Sequence, residues 1–274
     1  MTQALRLGLP SIAVDIARTA LAVAPGHRQL QYLHALALAR TGSTASAAAE
    51  LGKLLGELSQ EDPLYVDAVS LAGRVAKDRW SRLPVGPART AAGEEARRAY
   101  REAYDRSGHY FPGINAATMC LMTGDDHEAA RIAREVQQAC HDAVSGGADQ
   151  MWLHATAGEA HTLLGNLEQA KHSYGAASTL AARNYGDMAA MRRQLRLIAS
   201  VRPGAAELLS VVHVPRVVTF SGHMIDASDR RDSRFPPALE HDVRRAIATA
   251  IDALQPALES RRPPAARTFC SPRK

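Results

Sequence analysis

Aromatic side chains are scarce in this chain: Phe, Trp and Tyr together make up 5% of its 274 residues. β-Sandwiches and barrels draw heavily on aromatic and β-branched side chains, so this scarcity argues against an all-β fold. Cysteine is scarcer still, with only Cys120, Cys140 and Cys270 and no CxxC pair. An odd number without paired spacing argues against a disulfide framework and fits a reducing compartment. No apolar run reaches the ~18 residues that a membrane span needs. Arg6, Asp15 and Arg18 interrupt the N-terminus where a secretory signal would carry its apolar core. A cytoplasmic protein with no membrane association is expected. No Ser-His-Asp order and no carboxylate pair stands out, so no enzymatic activity, cofactor or metal is expected.

What the chain has in abundance is alanine, 52 of 274 residues, the residue that costs least in a helix. A 46% hydrophobic share and this length suffice for a full core in one or two domains. The net charge of +5 comes partly from a terminal cluster, Arg261, Arg262, Arg267, Arg273 and Lys274. Diffuse surface arginine explains the rest better than a nucleic-acid interface does.

One pattern recurs five times: a small residue followed by partners at +4 and +7. It reads Ala13-Ala17-Ala20, Ala47-Leu51-Leu54, Ala96-Tyr100-Ala103, Ala129-Ala133-Val136 and Ala170-Tyr174-Ala177. This spacing sets three side chains on one helix face, and the small first residue lets a second helix approach closely. In four units a glycine lies five residues earlier, at Gly8, Gly42, Gly124 and Gly165, where it can end the preceding helix. In the Ala96 unit a longer loop, Leu83 to Gly93, is expected to replace that turn. The first helices of the pairs are predicted over 28–41, 64–80, 113–123 and 150–164, with a final capping helix over 185–200. Each unit is therefore helix, turn, helix.

Gly165-Ala170-Tyr174-Ala177 and the 34-residue interval from Gly8 to Gly42 resemble the tetratricopeptide repeat. His109-Tyr110-Phe111-Pro112-Gly113-Ile114-Asn115-Ala116-Ala117-Thr118, with Leu71-Ala72-Gly73-Arg74-Val75-Ala76-Lys77-Asp78 upstream, is similar to the divergent repeat region called the TRAF-binding domain. That region occurs in apoptosis signal-regulating kinases and in bacterial proteins. The likeness spans roughly residues 10–200. It implies an all-α, superhelical array of antiparallel helix pairs that binds a protein or peptide in a groove. Positions 2, 5, 9 and 12 of each first helix line that groove in the family. Carried over, they are Gln29, Tyr32, Leu36 and Ala39; Phe111, Ile114, Thr118 and Leu121; Trp152, Ala155, Glu159 and Thr162. Packing between repeats is the competing reading for Phe111 and Trp152.

The chain changes character after Val201. Arg202-Pro203-Gly204 punctuates it, and Pro215 to Phe220 is the best candidate strand. Ser221-Gly222-His223 then forms a small-residue turn, and Asp226 and a helix starting near Ala238 follow. Backbone N–H groups at such a turn can hold phosphate. FSGHMID followed by RFP resembles the start of the SLOG-type nucleotide-sensing domain. The resemblance implies Ser221, Gly222, His223 and Asp226 as a nucleotide-binding turn, but the family's second glycine-rich motif does not follow. One strand cannot make a parallel sheet, so an incomplete strand-turn-helix unit is expected over 202–260, behind a helical domain over 1–201. A disordered basic tail is expected over 261–274.

Two functions stay open. The first is an interaction scaffold or regulatory module in bacterial signalling, stress or defence. The second is a nucleotide-sensing or nucleotide-processing protein whose C-terminal domain must be completed to hold ligand. His27/His34 and His154/His161 are read as packing histidines and Cys120 and Cys140 as buried thiols. Asp125, Asp126 and Glu128 are read as helix-start partners of the dipole.

Overall fold

In a computed structural model of the chain, the described residues are 1–6, 9–143, 150–181, 184–214, 225–226 and 231–254. They hold twelve α-helices and no strand. Eleven of the helices fall in the first of two compact units, residues 1–213. Five consecutive pairs form there: α1 (Thr2–Arg6) with α2 (Pro10–Val23), α3 (Arg28–Thr41) with α4 (Thr44–Glu57), and α5 (Tyr65–Arg82) with α6 (Pro87–Ser107). The next are α7 (Tyr110–Met122) with α8 (Asp126–Ala143) and α9 (Gln150–Leu163) with α10 (Leu167–Ala181); α11 (Tyr185–Ala199) follows. Each helix packs on the next, and first helices also touch across pairs, α3 on α5, α7 on α9, and α9 on α11. The result is the all-α, tetratricopeptide-like array that the repeat pattern predicts.

The small/+4/+7 faces form the seams of this array. Every residue of the four later faces is buried; in the first, Ala13 and Ala17 are buried and Ala20 is half-buried. Two of the +4 residues are the largest fully buried side chains of the unit, Tyr100 and Tyr174. Each ring lies flat on a glycine of the preceding helix. A Cβ on Gly73 would stand 3.0 Å from the Tyr100 ring, and one on Gly158 would stand 3.0 Å from the Tyr174 ring. Glycine at these two helical positions is the space into which the aromatic ring fits. The turns within pairs use glycine for its other property. Gly42, Gly124 and Gly165 take φ values of 86, 90 and 79°, in the left-handed region where a side chain is strained. Gly8 lies outside the described residues.

Two predicted boundaries shift. The loop expected from Leu83 to Gly93 ends at Gly86, because Pro87 takes the first helical position, where its missing N–H costs nothing. Gly93 thus lies inside α6, and a Cβ there would meet the Trp80 ring at 3.0 Å. Helix α7 begins three residues earlier than its periodicity suggests. His109 caps it, its Nδ1 accepting from the Phe111 N–H at 3.2 Å, so Pro112 falls in the first turn, where it is tolerated.

After α11 the first unit continues through a 3-10 turn, Ala205–Ser210. Arg192 donates from Nη1 to the carbonyls of Leu209 and, at 2.7 Å, Val212, fixing this segment to α11. In the second unit the described part holds a short 3-10 turn, Pro237–Leu239, running into α12 (Glu240–Leu254). This is the helix expected near Ala238. The proposed strand over 215–220, Ser221, Gly222 and His223, and the tail over 261–274 lie outside the described residues.

Candidate inner-face site

Helical spacing puts Lys77 and Arg74 of α5, Phe111, Asn115 and Thr118 of α7, and Trp152 and Glu159 of α9 on corresponding faces of successive first helices. This shared inner face is occupied at its centre by a polar cluster. Lys77 Nζ donates to Asn115 Oδ1 at 2.6 Å and to Gln194 Oε1 of α11 at 3.1 Å. Gln194 Nε2 donates to Glu159 Oε1 at 2.6 Å, and the Thr118 hydroxyl donates to that same oxygen at 2.6 Å. Asn115 is oriented by its own Nδ2, which donates to the Phe111 carbonyl at 2.9 Å. The ammonium of Lys77 also lies 5.5 Å from the centroid of the Tyr100 ring, within cation–π range. Four helices are tied together by side chains alone.

Burial disfavours both charges. It pushes Lys77 down to about 8, against the attraction of Glu159 and Asp78. It pushes Glu159 up, against the hydrogen bonds from Thr118 and Gln194 and the charge of Lys77. The attraction between Lys77 and Glu159, which are joined through the Gln194 amide, opposes the burial that favours the neutral form of each. The inner face carries further charge towards α3. Burial pulls Arg40 down and so does the neighbouring Arg74, while Asp187 of α11 opposes both. Tyr32 is pushed up to about 12, first by burial and then by Asp67.

The groove positions carried over from the repeat family divide by burial. Ile114, Thr118, Leu121, Glu159 and Thr162 are buried, as are Ala39 and Ala155. Tyr32, Leu36 and Trp152 are half-buried, Gln29 is exposed and Phe111 is 46% exposed. Thr118 and Glu159 join one cluster; Phe111 contributes only its carbonyl to it. Lys77 and Asn115 lie inside the two sequence stretches similar to the TRAF-binding region, but spacing alone gave them no role. Gln194 carried no signal at all, because its partners are 35 and 117 residues away.

The other candidates have simpler roles. Asp125 Oδ1 accepts from the Glu128 N–H at 3.1 Å and starts α8. Cys120 and Cys140 are buried, and burial raises their thiols to about 11 and about 12. Burial lowers His34 and His161. Among the described residues no three His, Cys, Asp or Glu converge as metal ligands, and no helix is long and apolar enough to cross a membrane. In the second unit Asp226 organises a loop. Its Oδ2 accepts from the backbone N–H groups of Arg234 and Phe235, both at 2.7 Å, and from the Ser233 hydroxyl at 3.1 Å. The nucleotide-binding turn implied beside it lies outside the described residues.

Paired helices, glycine turns and small/+4/+7 seams make a tetratricopeptide-like, all-α helical-repeat array. Residues 11–120 match the model of a family described as Tetratricopeptide Repeats-Sensor. A solved structure, described as BtubC (BKLC) from P. vanneervenii, is similar to 83% of this chain and to 100% of its own, at 14% identity and a TM-score of 0.45. No curated protein matches the chain.

Proposed function

We propose that the chain is an interaction module of the sensor type, with the inner face of its first helices as the binding surface for a protein segment. The observation that carries this reading is the exposure of Phe111. A phenylalanine 46% open to water, one helical turn from a buried polar cluster, has the apolar-anchor-beside-polar-centre character of a recognition surface. Half-buried Trp152 and Tyr32 extend the same face on α9 and α3. The match to a repeat family with a sensing role in its name supports the class. The likeness of Leu71–Asp78 and His109–Thr118 to the TRAF-binding region supports a signalling context, in which the bound segment is a protein partner rather than a metabolite.

The test is selection of binding peptides from a random library on the intact chain. Peptides selected on it are expected to lose at least tenfold in affinity on Phe111→Ala and Trp152→Ala chains, whose melting temperatures stay close to that of the parent. Peptides that bind these variants as well as the parent would refute the reading, as would a library that yields no binder.

A further inference from the structure

The inner face is not open along its whole length, because α11 lies on it. Ordinary stacking explains the contacts of α11 with α9 and α10. It does not explain Gln194, whose carboxamide is held at both ends by helices of two earlier pairs. Lys77 of α5 donates to its oxygen at 3.1 Å, and its nitrogen donates to Glu159 of α9 at 2.6 Å. A carboxamide offers one accepting and one donating end, so an ammonium at one end and a carboxylate at the other read it in a single orientation. The positions that the repeat family gives to partner contact at this point, Thr118 and Glu159, are 0% and 8% exposed.

We propose that α11 is an in-chain occupant of the inner face, seated through Gln194, and that a partner reaches the central positions only when α11 shifts. This rests on the inner face being the binding surface and concerns how that surface is controlled. The make-up of the seat supports it. A permanent contact is most stable when apolar, whereas burying charged side chains costs desolvation that an apolar replacement avoids. Here the middle of the seat is polar. Lys77 is faced by Glu159 from α9, by Asp78 and Arg74 from its own helix, and by Arg193 from α11. The apolar face of α11 stays packed, with Met191, Leu195 and Ile198 at 4%, 0% and 0% exposure. The motion is therefore a transient release of α11 from its seat, against the apolar contacts that return it.

The experiment uses the full chain, the variant Gln194→Met, and a synthetic peptide of residues 184–201. Methionine keeps the length and helix preference of glutamine but offers neither end of the amide. In Gln194→Met, amide hydrogen exchange over residues 188–199 is expected to rise at least tenfold, with α4 and α8 unchanged. The peptide is expected to bind this variant at least tenfold more tightly than it binds the parent, and a peptide carrying the same substitution is expected to lose that gain. If Gln194→Met does not fold, Gln194→Asn, which keeps the amide but shortens its reach, must show the same changes at smaller size. Unchanged exchange in α11, or equal peptide binding by parent and variant, overturns the seat. If exchange and peptide binding respond as expected while the library yields no binder, the seat stands and the partner surface falls.

Discussion

Replacing Gly158 by alanine tests the packing on which the repeat array depends. Two effects of opposite sign compete. Alanine in a helix interior is favoured over glycine by up to about 1 kcal/mol. The added Cβ, however, would stand 3.0 Å from Cγ and 3.1 Å from both Cδ atoms of Tyr174. That ring is 2% exposed, so it has no free space to move into, and overpacking a full core costs about 1–3 kcal/mol. Gly52 supplies the control, since it lies in α4 with nothing within 4 Å of its would-be Cβ. There only the favourable effect acts. The helix preference is common to both sites, so the difference between Gly158→Ala and Gly52→Ala isolates the ring contact at about 1–3 kcal/mol. For a chain of this size each kcal/mol moves the melting temperature by about 2–4 °C. Thermal denaturation followed by circular dichroism should place Gly52→Ala at or above the parent and Gly158→Ala several degrees below Gly52→Ala. Gly73→Ala, whose Cβ would stand 3.0 Å from the Tyr100 ring, should follow Gly158→Ala. A Gly158→Ala chain that melts with Gly52→Ala would show that the ring does not rest on the glycine.

Two further predictions concern ionisation. Burial takes Lys77 from its ordinary 10.5 down to about 8, so between those pH values the unfolded chain keeps a proton that the folded chain has released. Lys77 therefore makes stability rise with pH from about 8 to 10.5; urea midpoints should show that this limb is lost in Lys77→Met. Hydrogen bonds from Arg131 and Arg101 hold Glu128 down from 4.5 to about 2, so its contribution is present above pH 4.5 and fades as the pH falls towards 2. Acid titration of Glu128→Gln should lack that part of the stability loss, and an acid limb identical to the parent's would refute the assignment.

Much of the helical array is legible from local spacing. The seams follow from alanine, tyrosine and leucine at +4 and +7, because those offsets are fixed by helix geometry whatever the partner helix is. The turns at Gly42, Gly124 and Gly165 follow from backbone sterics alone. The start of α6 was misplaced because Gly93 reads as a turn residue, although the structure uses it to admit Trp80. The candidate site is less legible. Thr118 and Glu159 enter through the family's groove positions, but their engagement with each other depends on how neighbouring pairs stack. Gln194 depends on where the path of α11 meets α5 and α9, which no local pattern encodes. The stretches around Lys77 and Asn115 stand out as motifs, yet a motif does not say that an amide from the far end of the unit lies between them.

The contact between Lys77 and Gln194 bridges 117 positions of the chain. Repeat arrays ordinarily behave as one-dimensional chains of nearest neighbours, in which one end can fray while the other stays folded. A tie from the third helix pair to the segment after the last pair limits that freedom. The repeats from α5 to α11 become a closed circuit, and a disturbance at α7 or α9 must be felt at both ends. Such an array is expected to unfold from α5 to α11 as one cooperative body, with the entropy of closing a long loop set against it.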